Sequence, residues 1–197
     1  IPKGDTLAEK GFTEQILRLP HSHLCYMPDV IRAMPEAGYE APVRKNGYVT
    51  FGSFNNFAKV TDEMLLLWRG ILETVNNSRL IIKGKIASID AGLQFAKKRL
   101  ALLNFDLDRI EFRPFSPDYL EQYRDIDIAL DTAPYNGGLT TCEALYMGVP
   151  VISMRGRTHG ARFGASILTN AGVRELIAEN DINYVRRAVQ LAESPKL

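Results

Sequence analysis

The sequence has little cysteine, a single tryptophan, no excess charge of either sign and no long hydrophobic run. Cys25 and Cys142 stand far apart, without a CxxC pair or Cys/His ligand spacing. That excludes a disulfide-stapled scaffold and a zinc module. With 24 basic against 23 acidic side chains the formal net charge is +1. No basic field is therefore on offer for nucleic acid or an anionic membrane. No stretch approaches the roughly 20 apolar residues that span a bilayer, and no basic-then-apolar leader opens the chain. What remains is 197 residues, 46% hydrophobic and 24% charged, enough for one domain with its own core. The expectation is a soluble, cytoplasmic, mixed α/β chain. Its opening Ile1-Pro2-Lys3-Gly4 and closing Ser194-Pro195-Lys196-Leu197 read as trimmed ends of a longer parent.

Residues 1–47 are punctuated by Pro2, Pro20, Pro28, Pro35 and Pro42, with only short apolar runs such as Ile16-Leu17 and Leu24-Cys25-Tyr26-Met27 between them. So broken a segment cannot build a core and reads as an irregular linker, or as a strap over another domain. From residue 48 to 197 the pattern is regular. Apolar, partly β-branched runs at 48–54, 79–83, 109–114, 127–131 and 150–154 predict five strands. Helical periodicity predicts helices at 61–75, 89–103, 139–147, 161–171 and 182–192, with a short one at 117–124. Strands alternating with helices imply parallel βαβ units, a Rossmann-like sheet with helices on both faces. Ligands of such sheets bind at the carboxyl ends of the strands. Attention therefore falls on the loops after Phe54, Lys83, Pro114, Asp131 and Met154.

Three of these loops carry chemistry. In Gly52-Ser53-Phe54-Asn55-Asn56-Phe57-Ala58-Lys59, the small residues let a backbone come close to something. Lys59 offers a point charge to a phosphate or a leaving oxygen. The alternative is that the asparagines cap a turn and Lys59 is solvated. The run Asp131-Thr132-Ala133-Pro134-Tyr135-Asn136-Gly137-Gly138-Leu139-Thr140-Thr141-Cys142-Glu143 passes from a strand through a glycine turn into a helix. Free N–H groups there, beside Gly137, Gly138, Thr140 and Thr141, suit a diphosphate, and Glu143 suits ribose hydroxyls. The pattern is neither GxGxxG nor GxxxxGK[ST], which disfavours NAD and ATP hydrolysis; the plainer reading makes the threonines caps and Glu143 a dipole-favoured acid. After the fifth strand, Thr158, His159 and Arg162 offer donors to a phosphate or sugar, His159 equally being a plain hydrogen-bonding residue.

Other features are set aside. Asp125-Ile126-Asp127 and Asp106-Leu107-Asp108 spell DxD but begin strands, at the wrong sheet edge for a metal–diphosphate site, and no metal is expected. His21-Ser22-His23 lacks an acidic ligand nearby, and Trp68 sits on an apolar helical stripe.

The segments 48–61 (YVTFGSFNNFAKVT), 127–150 (DIALDTAPYNGGLTTCEALYMGVP) and 166–180 (SILTNAGVRELIAEN) resemble the C-terminal catalytic lobe of glycosyltransferase family 41. That family includes O-GlcNAc transferases and SPINDLY-type O-fucosyltransferases. The NNxAK and TTCEALYMGVP wording is closer to SPINDLY and its bacterial tetratricopeptide-bearing relatives. The resemblance covers about 48–192, with 1–47 matching the inter-lobe run-in. It implies a two-lobe GT-B enzyme, inverting and metal-independent, whose C-terminal lobe, here 48–197, binds a UDP- or GDP-linked sugar. No cofactor is implied beyond that co-substrate. Under it Lys59 is the catalytic lysine at the diphosphate, and Asn55 and Asn56 lie near the phosphates. Thr140 and Thr141 lie on the phosphate-binding helix start, and Glu143 is the ribose-binding acid. The stretch Pro114, Phe115 to Tyr119 falls where the base is held. O-GlcNAc transferases have a histidine and an arginine where this chain has Tyr119 and Gln122. Relatives also have His or Thr where it has Gly137-Gly138-Leu139. The acceptor protein, the general base and the repeats belong upstream of Ile1. The competing readings are a non-catalytic nucleotide-binding module and another GT-B sugar-nucleotide enzyme such as an epimerase.

Overall fold

The computed structural model describes residues 9–27 and 40–194; the chain ends and the prolines at 28 and 35 lie outside them. The elements are α1 (Pro42–Asn46), β1 (Val49–Ser53), α2 (Asp62–Thr74), β2 (Ser78–Lys83), α3 (Asp90–Leu102), β3 (Ile110–Arg113), β4 (Ile128–Leu130), α4 (Leu139–Tyr146), β5 (Val151–Met154), α5 (Phe163–Asn170), β6 (Ile177–Ala178) and α6 (Asp181–Glu193). All six strands are parallel, in the order β3-β2-β1-β4-β5-β6. The direction of winding reverses between β1 and β4, so the loops after these two strands flank the crevice where open α/β sheets take ligands.

Local sequence explains the elements. Thr61 caps α2 by accepting from the Met64 N–H at 3.2 Å, and Asp62 and Glu63 meet the positive end of its dipole. Its Met64, Leu65, Trp68, Ile71 and Leu72 recur on one face and are buried. Alternate strand residues feed two cores. Phe51, Leu80, Ile82, Leu130 and Ile152 pack with α2, α3 and α6 around Trp68 and Tyr184. Ile81, Ala129 and Val151 pack on the opposite face with Tyr123, Ala144, Met147 and Leu168. Helices thus cover both faces, as the apolar strands imply. Removing Ile71 to alanine in such a core costs about 2–5 kcal/mol.

Four details depart from the sequence expectation. The last residues of the 1–47 segment form α1, with Pro42 in its first turn and Gly47 closing it at φ 73°. The short helix expected at 117–124 is a 3-10 turn over Glu121–Asp125. The helix expected from 161 is preceded by a 3-10 turn, Gly160–Arg162, and begins at Phe163. A sixth strand, two residues long, pairs with β5. Residues 9–27 lie on the lobe through ring contacts of His23 with His159 and of Tyr26 with Tyr146.

Candidate functional site

The carboxyl edge at the winding reversal is organised by one buried acid. Asp131 follows β4 and is 1% exposed. Its Oδ1 accepts from Gly137 N at 2.6 Å, Thr132 N at 2.8 Å and Asn55 Nδ2 at 3.4 Å; its Oδ2 accepts from the Ser153 hydroxyl at 2.6 Å. These bonds curl 132–137 into the turn that starts α4. Burial raises the Asp131 pKa to about 6, against the pull of Ser153, Gly137, Thr132 and Lys59. The Tyr184 hydroxyl donates to the Asp131 carbonyl at 2.7 Å and accepts from Trp68 Nε1 at 3.2 Å. Trp68 is therefore core, as its stripe implies, and it braces the site from beneath. On α5, Gly164 permits this packing: a Cβ there would lie 1.9 Å from Ser153 Oγ and 2.7 Å from Asp131 Oδ2.

Above this acid two positive ends converge. No side chain caps α4, and its first intrahelical N–H bond is that of Cys142 to Gly138 O. The N–H groups of Leu139, Thr140 and Thr141 thus stand ahead of the hydrogen-bonded ladder at the positive end of the helix dipole. Lys59 Nζ donates to the Asn136 carbonyl at 3.2 Å, one residue before the glycine pair, and lies 4.4 Å from the Tyr135 ring centroid. Burial lowers its pKa while Asp131 raises it. Asn136 is itself buried, donating from Nδ2 to the Thr132 and Met154 carbonyls. Gly137 is needed for close approach: a Cβ would meet the hydroxyls of Thr140 and Thr141 at 2.6 and 2.7 Å.

Further along the edge, Glu143 is buried in α4 and accepts from the Tyr119 hydroxyl at 2.5 Å. Burial raises its pKa and the Tyr119 bond lowers it. Pro114 and Phe115 precede this tyrosine; Phe115 is exposed and stacks on Tyr119 with centroids 6.3 Å apart. Lys83, buried at the end of β2, donates to the Pro114 carbonyl at 2.6 Å and to Ser116 Oγ at 3.0 Å.

Lys59, Gly137, Gly138, Thr140, Thr141, Glu143 and Tyr119 are thus ranged along one edge. Other expected residues have internal employment. Asn55 is buried and its Oδ1 accepts from the Thr140 hydroxyl at 3.0 Å, stapling the β1 loop to α4. Asn56 caps a 3-10 turn by accepting from Ala58 N at 3.1 Å. Gly52 makes room for a side chain of the lobe, since a Cβ there would lie 2.6 Å from Ile126 Cγ2. Arg162 donates to the Gly156 carbonyl at 3.0 Å and pins its own loop. His159 packs against His23 and Phe163, its pKa lowered by burial and by His23. Asp127 accepts from Val43 N at 2.9 Å and Thr50 N at 2.8 Å, tying α1 to β1. Sequence reasoning missed Asp131, whose signal was an acid closing an apolar strand, and Lys83, which reads as a strand end.

Fold and edge together define a class: a Rossmann-like α/β lobe with an anion-receptive winding reversal. The model of the family described as Glycosyl transferase family 41 matches residues 27–197. A Solanum lycopersicum protein named "Probable UDP-N-acetylglucosamine--peptide N-acetylglucosaminyltransferase SPINDLY" is 43% identical over 190 residues, covering 94% of this chain and 20% of that protein. The Arabidopsis thaliana protein of the same name is 44% identical over 198 residues, covering 95% and 21%. Among solved structures, an O-GlcNAc transferase mutant from Thermobaculum terrenum superposes with TM-score 0.84 at 31% identity, over 98% of this chain and 36% of that one. The chain belongs to glycosyl transferase family 41, and its fold is that of the C-terminal lobe of a GT-B enzyme. It spans about a fifth of the length of these plant relatives.

Proposed function

We propose that this chain is the donor-binding lobe of an inverting, metal-independent glycosyltransferase. It takes a sugar from a nucleoside diphosphate sugar of the UDP-GlcNAc or GDP-fucose type and passes it to protein serine or threonine. The observation that carries the reading is the convergence of Lys59 and the uncapped start of α4 on the Gly137-Gly138 turn. The names of the plant and bacterial relatives support the sugar-nucleotide and peptide classes.

In the reaction an acceptor hydroxyl attacks the anomeric carbon, the bond from that carbon to the diphosphate oxygen breaks, and negative charge grows on the leaving β-phosphate. The Lys59 ammonium and the N–H groups of Leu139, Thr140 and Thr141 meet that charge without having to reorganise. Glu143, oriented by Tyr119, accepts from the ribose hydroxyls. The general base and the acceptor surface lie in other parts of the full-length protein. Free Cys25 and Cys142 suit a reducing compartment, and we place the enzyme in the cytoplasm. Among the described residues no helix is long and apolar enough to cross a membrane.

Steady-state transfer by the full-length protein tests the assignment. By comparison with removal of an oxyanion donor, Lys59→Ala lowers kcat by about 10²–10³. Turnover near that of the unaltered protein would remove Lys59 from the mechanism.

A further inference from the structure

We infer that Asn55 is a positioning residue for Lys59: working through Thr140 and Asp131, without touching the donor, it sets the lysine's loop against the Gly137-Gly138 turn. This role rests on the donor-site reading above, which needs Lys59 and the start of α4 to face one leaving phosphate. The sheet does not supply that alignment. The ladder between β1 and β4 pairs Phe51 with Ile128 and Gly52 with Ala129 and goes no further. Beyond it, no backbone hydrogen bond joins 54–59 to 131–141 among the described residues. Hydrogen bonds from side chains tie the two loops instead: Lys59 itself, to the Asn136 carbonyl, and Asn55. When Lys59 turns from that carbonyl to a phosphate, Asn55 is the tie that remains.

Asn55 suits the task because its amide has one orientation. It is buried, with Nδ2 3.4 Å from Asp131 Oδ1 and Oδ1 3.0 Å from the Thr140 hydroxyl. Asp131 Oδ1 also takes the N–H groups of Gly137 and Thr132, so it stands as an acceptor. Turning the amide over would set oxygen against oxygen beside a buried carboxylate. Thr140 must then donate to Asn55, and its hydrogen faces the protein rather than the donor. Drawing that hydrogen away to a phosphate would leave a buried amide oxygen without its partner. The same groups meet at the turn: a Cβ on Gly137 would lie 2.6 Å from Thr140 Oγ1 and 3.0 Å from Asn55 Oδ1. On the other side, the 3-10 turn Phe57–Lys59, capped by Asn56, links Asn55 to Lys59 with little slack.

Steady-state transfer by the full-length protein, with kcat and the KM for the donor measured separately, tests this. The variants are Asn55→Leu, Thr140→Val and Thr140→Ser, and the first two again in a Lys59→Ala background. Asn55→Leu and Thr140→Val each lower kcat by about 10–10²-fold, as a misplaced lysine loses its contact in the transition state, and leave KM within about twofold. Thr140→Ser, which keeps the hydroxyl, recovers most of the turnover that Thr140→Val loses. Once Lys59 is alanine nothing is left to position, and Asn55→Leu or Thr140→Val lowers kcat by less than about twofold more. An equal loss with and without Lys59, a raised KM at unchanged kcat, or turnover untouched by either variant overturns the inference while leaving the donor site standing. Should Asn55→Leu fail to fold, Thr140→Val in the two backgrounds decides alone. Turnover of Lys59→Ala near that of the unaltered protein overturns the donor-site reading itself, and this role with it.

Discussion

Asp131 is the residue on which the geometry of the edge depends, and its protonation gives that dependence a measurable sign. Its pKa in the folded chain is about 6 against an unperturbed 3.8. The folded state therefore binds its proton more tightly than the unfolded chain does. The group's stabilisation is present in full below the unfolded value and is lost as pH rises through about 6. The difference of about 2 units corresponds to roughly 3 kcal/mol. Asp131→Asn keeps the shape and cannot titrate. Its amide oxygen serves the N–H groups of Thr132 and Gly137, and the Ser153 hydroxyl turns to accept from the amide nitrogen. Denaturant unfolding of both proteins at pH 4 and pH 7 isolates the effect, because other titrating groups cancel in the difference. The stability advantage of the unaltered protein over Asp131→Asn shrinks by roughly 2.5 kcal/mol between the two pH values, most of the full difference, since pH 4 lies just above the unfolded pKa. An advantage that grows with pH would mean that the four donors and Lys59 outweigh burial, and would refute the argument. Asp131→Ala is a different experiment. It strands the Thr132 and Gly137 N–H groups and the Ser153 hydroxyl, at about 1–3 kcal/mol each. That total rivals the whole stability of a domain, and this variant is expected not to fold.

Other expectations follow from the packing. Gly164→Ala drives a methyl into Ser153 Oγ and Asp131 Oδ2 and costs about 1–3 kcal/mol in thermal unfolding; adding Ser153→Ala restores part of it, whereas additive losses would show that the clash lies elsewhere. Asp127→Ala strands the N–H groups of Val43 and Thr50, which lowers stability by about 1–3 kcal/mol while sugar transfer at a permissive temperature stays unchanged; a matching loss of transfer would revive a catalytic role for the DxD spelling. Tyr184→Phe leaves Trp68 Nε1 and the Asp131 carbonyl without partners, lowering the melting temperature and loosening the edge, with equal stability counting against the brace.

The strands β1, β2, β4 and β5 were legible because buried parallel strands must be apolar on both faces, and Phe51, Ile81, Leu130 and Ile152 make them so; the edge strand β3, with Glu111 exposed, was legible from Ile110 and Phe112 alternating with polar residues. The strand β6 was not, because Ile177-Ala178 carries no periodicity of its own and is a strand only beside β5. The helix α1 had local signals, Pro42 at its start and Gly47 at its end, yet five residues among so many prolines did not stand out. That the candidate loops share the carboxyl edge of the sheet was legible because, in a parallel sheet, connectivity alone decides which strand ends lie together. Side-chain employment within those loops was not legible. Asn55 and Asn56 look alike in sequence, yet Asn55 joins Thr140 and Asp131 whereas Asn56 caps its own turn. Partners some 80 residues apart leave no local trace. Gly52 likewise serves Ile126, a neighbour in space rather than in sequence.

The central claim is that this lobe holds a nucleoside diphosphate with Lys59 and the start of α4. Thermal unfolding of the full-length protein titrated with UDP and with GDP, with and without EDTA, tests it most directly. At one hundred times Kd the nucleotide adds about 2.7 kcal/mol, which raises the Tm by roughly 5–10 °C for a unit of this size. The account predicts such a rise with at least one of the two nucleotides, unchanged by EDTA and diminished in Lys59→Ala. A rise that EDTA abolishes, or no rise with either nucleotide, would contradict it.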